Sequence, residues 1–295
     1  MKHLLFIFLL LPAAMLAEEK DVHRFGTFNV RYTNPKNGDV GDRHWMARRK
    51  AVTDIVRDYD FDVIGMEEVT GSVRDYTTGR TQLEDLRYLL PGYSDWAVER
   101  NGRYYEYNVI FYKTERYELL DSGRFYLNPH PDTPGPGWGE KTLPRALGWV
   151  HLREKRTGKD FIFAAVHTNY GATDSGIQAC KLIGERLDSI AGDRPVVLVG
   201  DFNMRRTDHK QAYDGCASHF KDAALLTETT CIPKGDIRHT ASNWCTATDS
   251  ACRGSEFDYV FFNRMTPLSR HIITEDYNRG IAPSDHFPLL VRFKF

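Results

Sequence analysis

Several short motifs place carboxylates, amides and histidines beside apolar runs, where a packed core would exclude them. They are Asn29, Glu68, His167, Asp201 with Asn203, Asp258, and Asp285 with His286. Any one of them has a plain structural explanation, because Asn and Asp are ordinary turn residues at strand ends. The ordered set is far harder to explain as a series of turns. It indicates one polar site assembled from distant parts of the chain.

Carboxylates combined with histidines are the residue types that hydrolysis of a phosphoester requires. Such an ester is anionic, so a catalyst must neutralise its oxygens, make a nucleophile from water and stabilise the leaving alkoxide. Mg²⁺ suits the first task, because it prefers oxygen ligands and needs only one or two protein carboxylates. Histidine suits the other two tasks, because its pKa lies near neutrality. The residue set therefore predicts metal-assisted phosphoester hydrolysis.

In chain order, these motifs resemble those of the endonuclease/exonuclease/phosphatase superfamily. The matching stretches are Thr27-Phe28-Asn29, Glu67-Glu68-Val69, Gly200-Asp201-Phe202-Asn203, Phe257-Asp258-Tyr259 and Ser284-Asp285-His286. The superfamily includes pancreatic-type deoxyribonucleases, abasic-site endonucleases, sphingomyelinases and inositol polyphosphate 5-phosphatases. The resemblance implies an α/β fold, a four-layered αββα sandwich of two packed mixed β-sheets flanked by helices. It spans nearly the whole of a single domain that we place at residues 22–295.

The metal site is expected to centre on Glu68, with Asp285 and the amide of Asn29 beside it. The cofactor implied is Mg²⁺, with Mn²⁺ as an alternative. Asp201 and Asn203 are expected to orient the attacking water and the phosphate.

Two histidine–carboxylate pairs are implied by the resemblance to the deoxyribonuclease branch, His167 with Glu106 and His286 with Asp258. A carboxylate partner would fix the tautomer of each imidazole. His286 would be the general base or a ligand of a phosphate oxygen, and His167 the leaving-group acid or a donor in the transition state. Asp201 is an alternative base.

Two further residues are aligned with family positions near the phosphate. Arg145 matches an arginine that contacts phosphate, and its planar guanidinium suits that task; the alternative is a surface strand residue. Tyr104 matches a tyrosine close to the scissile phosphate, although Tyr105 and Tyr107 compete for that role.

The substrate stays open at this stage. We favour a phosphodiesterase of nuclease type, acting on nucleic acid or a phospholipid head group. The alternatives are a phosphomonoesterase acting on a sugar, inositol or nucleotide phosphate, and a binding module without catalysis. Thr70 stands where nucleases of this branch often place a basic residue, and the formal net charge is only -1. Neither feature supports DNA as the substrate.

The first 17 residues have a basic start, an apolar run and small residues at 13, 14 and 17, which is the pattern of a signal peptide. The run is too short to span a membrane. We therefore expect a secreted or periplasmic protein without a membrane span, and a monomer.

Short apolar runs alternate with helical patterns, which indicates a mixed α/β fold. Strands are predicted at 24–32, 62–66, 108–112, 117–120, 145–153, 160–167, 195–200, 257–262 and 288–295, and helices at 45–59, 81–90 and 174–190. The strands at 108–112 and 117–120 are expected to pair with each other. Those at 145–153 and 160–167 are expected to form a hairpin. The segment 204–256 shows no clear periodicity.

The cysteines predict disulfides in an exported chain. Cys180 lies in a helical pattern and is expected to be buried and free. Cys216, Cys231, Cys245 and Cys252 are expected to form two disulfides, whose pairing the sequence does not choose. Loop 128–139 and the cysteine-bearing segment are the expected substrate platform.

Overall fold

The strand Asp160–His167 shows how the apolar runs of this chain are buried on both faces. Phe161 and Phe163 pack between two β-sheets, whereas the alternating residues Ile162 and Ala164 face a layer of helices. Side chains of a strand point alternately to opposite faces, so a run that is apolar at every position belongs inside a layered fold.

The computed structural model describes residues 21–33, 39–100, 106–139, 142–170, 173–227, 229–231, 239–245, 254–274 and 280–295. The strands in these ranges are β1 His23–Asn29, β2 Val63–Thr70, β3 Tyr93–Glu99, β4 Glu106–Lys113, β5 Tyr117–Tyr126, β6 Ala146–Glu154, β7 Asp160–His167, β8 Val196–Asp201, β9 Lys221–Asp222, β10 Thr229–Cys231, β11 Asp258–Asn263, β12 Thr266–Ile272 and β13 Leu289–Lys294. One sheet has the order β10-β12-β13-β1-β2-β4-β3, and the other has the order β5-β6-β7-β8-β11-β9. Both sheets are mixed, since β1 and β2 are parallel, as are β7 and β8, among antiparallel neighbours.

The described helices are α1 Trp45–Asp58, α2 Gln82–Leu89, α3 Thr173–Ala191, α4 Lys210–Ala217 and α5 Ala223–Leu226. A capping box between Thr81 and Glu84 starts α2, because each residue's side chain binds the other's backbone N–H. Apolar residues of α1 and α2 join the core of the first sheet, and those of α3 and α4 join the core on the outer face of the second. The predicted four-layered sandwich is confirmed.

The hairpin of β6 and β7 is confirmed, and its turn uses Gly158 with a φ of 74°. The predicted pairing of 108–112 with 117–120 is wrong, because β4 lies in the first sheet and β5 in the second. The short connection crosses between sheets, and Arg116 spans them by binding Asp62 at 2.7 Å and Glu154 at 3.1 Å. Strand β3 was not predicted.

The parallel strand pairs bring their carboxyl ends to one edge of the sandwich. Gly200 allows β8 to approach β7 closely there: its φ is 145°, and a Cβ at this position would lie 1.9 Å from the carbonyl oxygen of Val166. A residue with a side chain cannot occupy that position. The next residue, Asp201, pairs with His167 in the sheet register.

The cysteine prediction is wrong for two of the four residues. Cys216 and Cys245 are free, as is Cys180. Cys216 is fully buried on α4, where its Sγ lies 3.9 Å from the carbonyl oxygen of Cys180 on α3. The segment around it is a helix with its own apolar core, so it does not need a cross-link. The side chain of Cys231 and the whole of Cys252 lie outside the described residues.

Two other predictions fall on residues outside the described ranges: the signal peptide at residues 1–17 and Tyr104. Among the helices that are described, none combines the length and the hydropathy needed to cross a membrane.

Candidate active site

The carboxyl ends of β1, β2, β7 and β8 open into a pocket of about 570 Å³. The predicted site residues in its wall are Glu68, Arg145, His167, Asp201, Asn203, Asp285 and His286. Asn29 and Asp258 lie directly behind them through hydrogen bonds to Glu68 and His286. The structure thus brings together the motifs that are far apart in sequence.

A β-bulge in β2 separates two adjacent acidic side chains. The register of β2 on β4 shifts between Met66 and Val69, so Glu67 and Glu68 oppose a single residue. Glu68 has a φ of 62° and lines the pocket. Glu67 is fully buried, accepts hydrogen bonds from the Thr27 hydroxyl, and has its pKa raised well above the usual range by burial. Of these two glutamates, Glu68 is therefore the one that a metal in the pocket could reach.

His286 makes the contact with Asp258 that the sequence predicts. Its Nδ1 lies 2.8 Å from Asp258 Oδ2, and its Nε2 lies 3.8 Å from Asp201 Oδ2. Burial alone would lower the pKa of this histidine, but Asp258, Asp201 and Asp285 together raise the pKa well above its ordinary value. These carboxylates favour the imidazolium form of His286, which would donate a hydrogen bond toward the pocket.

His167 stands in the opposite electrostatic setting. Burial lowers its pKa well below the ordinary value, and Arg145 and Arg100 lower it further. The Asn203 amide donates a 3.0 Å hydrogen bond to His167 Nε2. The predicted partner, Glu106, instead accepts a 2.8 Å hydrogen bond from Arg100. That prediction is wrong because a permanent guanidinium charge satisfies the Glu106 carboxylate in place of the imidazole.

Carboxylates converge at the centre of the pocket. The Asn29 amide donates to Glu68 Oε1 at 3.2 Å and to Asp201 Oδ2 at 3.0 Å. One ligand atom each of Glu68, His167 and Asp201 lies within 4.8 Å of the others. Burial and the nearby Asp258 raise the pKa of Asp201 to about 7. Carboxylates held this close repel each other, so this donor set fits a divalent cation.

Asp285, a predicted metal ligand, lines the same pocket from the segment before β13. Its Oδ2 lies 3.5 Å from Nη1 of Arg31, and its pKa is raised by burial and by Glu68. A second group of close ligand atoms comprises Asp201, Asp258 and His286. Asp201 therefore belongs to both clusters, and it joins Glu68, Asn29 and Asp285 as a residue that could hold the ion.

Arg145 is a buried arginine that forms no salt bridge with another described residue. Its side chain lines the pocket with only 6 % of the residue exposed, and its Nε has no hydrogen-bond partner among the described residues. Burial and Arg100 lower the pKa of Arg145 to about 10, so it remains charged at neutral pH. A buried guanidinium beside carboxylates is suited to hold a phosphate oxygen.

Several residues of the pocket wall were not predicted from the sequence, among them Arg31 and Tyr170. Arg31 has a φ of 57° and lies 3.5 Å from Asp285 and 3.6 Å from Asp39. Tyr170 is 75 % exposed at the rim. Arg31 could have been predicted from its position two residues after Asn29. The Arg31 backbone N–H donates a 3.0 Å hydrogen bond to Asn29 Oδ1, so the two residues stay close together.

Several solved structures are similar to this chain. An endonuclease/exonuclease/phosphatase family protein from Bacteroides thetaiotaomicron is 28 % identical with a TM-score of 0.79, over 93 % of this chain and 98 % of that one. A mannosyl-6-phosphatase from the same organism is 26 % identical with a TM-score of 0.78, over 92 % and 100 %. The human Nocturnin catalytic domain shares the fold at 17 % identity and a TM-score of 0.67, over 93 % and 95 %.

A search of curated protein sequences found no match. The sequence profile described as "Endonuclease/Exonuclease/phosphatase family" matches residues 26–286. That range contains every motif of the pocket, from the strand that ends at Asn29 to His286. The chain belongs to the endonuclease/exonuclease/phosphatase family of phosphoester hydrolases.

Proposed function

We propose that this protein is a divalent-metal-dependent phosphoester hydrolase whose preferred substrate is a phosphomonoester. The observation that carries the proposal is the convergence of Glu68, Asp201 and His167 within 4.8 Å, in the same pocket as Arg145, whose buried Nε has no hydrogen-bond partner among the described residues. One pocket thus contains carboxylates that could bind a cation and a guanidinium that could bind a phosphate.

Glu68, Asp201, Asn29 and Asp285 would hold the cation. When bound, the ion supplies positive charge for the phosphate oxygens and makes a nucleophile available from water. Mg²⁺ fits the oxygen-rich donor set, and Mn²⁺ would tolerate the imidazole nitrogen of His167 more readily.

The remaining groups divide the chemistry by their charge. His286, held as an imidazolium by Asp258, donates a hydrogen bond to a phosphate oxygen and stabilises the charge that develops there. Asp201, which belongs to both clusters of ligand atoms, is suited to orient the attacking water and accept its proton. Asn203 holds neutral His167 in place on the opposite side.

A monoester is supported over a diester by two observations. The mannosyl-6-phosphatase, a relative over nearly its whole length, acts on a phosphorylated sugar by its name. The net charge of -1 gives no strong basic field for a nucleic-acid strand. The diesterase of nuclease type is the second candidate, and its support is the resemblance of the site motifs to the deoxyribonuclease branch.

A substrate panel tests this function. The purified protein is assayed with hexose 6-phosphates, nucleoside monophosphates, bis-p-nitrophenyl phosphate and single- and double-stranded DNA, with Mg²⁺, Mn²⁺ or EDTA. We expect monoester hydrolysis that EDTA abolishes and Mg²⁺ restores. Activity confined to DNA would select the nuclease alternative, and full activity in EDTA would refute the metal-dependent mechanism.

We further propose that the protein is exported and acts as a monomer. The basis for export is the amino-terminal pattern of residues 1–17. Mass spectrometry of the protein from the cell envelope and medium would locate the new amino terminus, which we expect after Ala17. Sedimentation of the mature protein would give its oligomeric state.

A further inference from the structure

A second, larger pocket adjoins the phosphate site. It has a volume of about 610 Å³ and lies between the start of α1, the segment after β2 and Glu106. Its wall includes Tyr32, Thr70, Ser72, Tyr76 and Gln82. Loop 128–139, which we expected to form the substrate platform, contributes no described residue to either pocket.

The two pockets are neighbours through shared structure. The Tyr32 backbone N–H donates to Glu68 Oε2 at 3.1 Å, so one wall of the second pocket is hydrogen-bonded to a residue of the first. Thr70 follows Glu68 by two residues and lies opposite Glu106 in the sheet register. A molecule whose phosphate occupies the first pocket can therefore extend its organic part into the second.

The charged side chains of the second pocket are already paired. Arg74 binds Glu84 at 2.8 Å, and Arg80 binds Asp85 at 2.7 Å. Asp75 accepts hydrogen bonds from two backbone N–H groups of its own turn. Since a strand of nucleic acid needs unpaired cations for its further phosphates, this pocket suits a neutral group.

Hydroxyl groups and an aromatic ring remain available to such a group. The Thr33 and Thr70 hydroxyls donate to Gln82 Oε1, and neither oxygen accepts a hydrogen bond from another described residue. The hydroxyls of Tyr32 and Ser72 have no hydrogen-bond partner within the described part of the chain. Tyr76 is fully exposed and offers an apolar ring face. Hydroxyl groups beside an aromatic face match a hydroxylated ring.

We propose that this second pocket binds the sugar ring of a phosphorylated sugar, and that Ser72 and Tyr76 determine the preference for that ring. The proposal rests on the proposed function for the site of hydrolysis. The phosphate is held at Arg145 and His286, and the ring lies against the segment after β2.

The test compares a ring substrate with a ringless one. Mannose 6-phosphate and ethyl phosphate are assayed with wild type, Ser72→Trp, which fills the pocket, and Tyr76→Ala. Thr77→Trp is the matched control, because Thr77 is exposed in the same segment and does not line the pocket. We expect Ser72→Trp to raise KM for mannose 6-phosphate by about tenfold or more, equivalent to ~1.4 kcal/mol. Hydrolysis of ethyl phosphate should stay within about twofold for all three variants.

Binding of methyl α-mannoside, followed by saturation-transfer NMR, is independent of hydrolysis. We expect binding to wild type and Thr77→Trp and its loss in Ser72→Trp. A wild type that binds the mannoside but hydrolyses no ester would remove the proposed function and keep the sugar pocket. Equal losses of activity on mannose 6-phosphate and on ethyl phosphate in Ser72→Trp would overturn the sugar proposal. A Ser72→Trp variant that loses activity only toward nucleoside monophosphates would overturn it as well.

Discussion

Asp62 and Asp201 are both buried aspartates, but they lie at opposite ends of the parallel strands. Asp62 precedes β2, and its carboxylate binds Lys113 at 2.9 Å and Arg116 at 2.7 Å. Asp201 ends β8, where its contacts are with Asn29, Asn203 and histidines, and no salt bridge joins it to a Lys or Arg of the described residues. Removing one member of a buried ion pair is costly for the fold, whereas a buried carboxylate without a cationic side-chain partner marks a candidate site.

The largest effect on activity is expected from removing His286, the hydrogen-bond donor in the pocket. His286→Ala should lower kcat/KM by roughly 10²–10⁴-fold, the scale of losing a positioned acid or base. Asp258→Asn should cause a smaller loss, because it removes the main group that raises the pKa of His286. The double variant should be little worse than His286→Ala, since the two residues act as a unit. Steady-state kinetics at saturating Mg²⁺ decide this, and strictly additive losses would contradict it.

Matched substitutions of the two aspartates test the comparison itself. Asp201→Asn should lower kcat/KM by roughly 10²-fold or more and leave the free energy of unfolding unchanged or higher, because it removes a carboxylate from among carboxylates. Asp62→Asn should destabilise the fold by about 1.5–3 kcal/mol, the scale of a hydrogen bond to a charged group, because it removes the buried carboxylate that Lys113 and Arg116 share, while the folded enzyme keeps its activity. Urea denaturation and kinetics are measured for both variants. The reverse assignment of effects would refute the comparison.

Arg145→Lys should reduce kcat/KM by about 10- to 100-fold, since hydrogen bonds to a charged group contribute roughly 1.5–3 kcal/mol. A lysine keeps the charge but loses the planar set of donors that holds phosphate. Arg153→Lys is the control, because Arg153 is exposed and lies on β6, the strand that follows Arg145. Inorganic phosphate should also inhibit the Arg145 variant more weakly, and unchanged inhibition would remove Arg145 from phosphate binding.

The smallest effect concerns the stability of the fold and involves His23, the first residue of β1. Burial lowers the pKa of His23 to about 2, and its Nδ1 lies 2.7 Å from the Tyr117 hydroxyl. Between the ordinary pKa of 6.5 and about 2, only the unfolded chain binds this proton. Stability should therefore fall as pH drops below about 6.5, by at most ~1.4 kcal/mol per pH unit from this group.

His23→Phe should make that pH dependence shallower, and His130→Gln, at an exposed position, should not. Denaturant titrations from pH 4 to 8 measure the slope. An identical slope in wild type and His23→Phe would show that His23 does not cause the loss of stability in acid.

The core strands and the site motifs could be predicted because each carries a local signal. Strands β7 and β8 are apolar at nearly every position and end in polar residues, which gives both their burial and their place at the sheet edge. Strand β3 was missed because its residues are mostly half-buried at the end of the sheet, without clear alternation. The course of β4 into β5 was missed because a short turn does not reveal which sheet the next strand joins.

Pairings between side chains were predictable only where both partners sit in motifs. Asp258 and His286 do, and their contact is present. Glu106 does not, and its partner Arg100 comes from the end of the neighbouring strand, which no motif marks. The second pocket was missed for the same reason, since its hydroxyls come from the segment after β1 and from the end of β2 and the residues that follow it, and they become a group only when the chain is folded.

The bulge in β2 divides the strand into two parts with different freedom to change. Up to Met66 the strand is fully buried against its neighbours, and a substitution there disturbs the packing of both sheets. Beyond Met66 the bulge turns Glu68 toward the first pocket, and the strand then continues to Thr70, which lines the second pocket. Natural variation can therefore remodel the pocket and the group it accepts while the carboxylate that serves the metal keeps its place. Hydrolysis and substrate choice lie next to each other in the chain and can diverge separately.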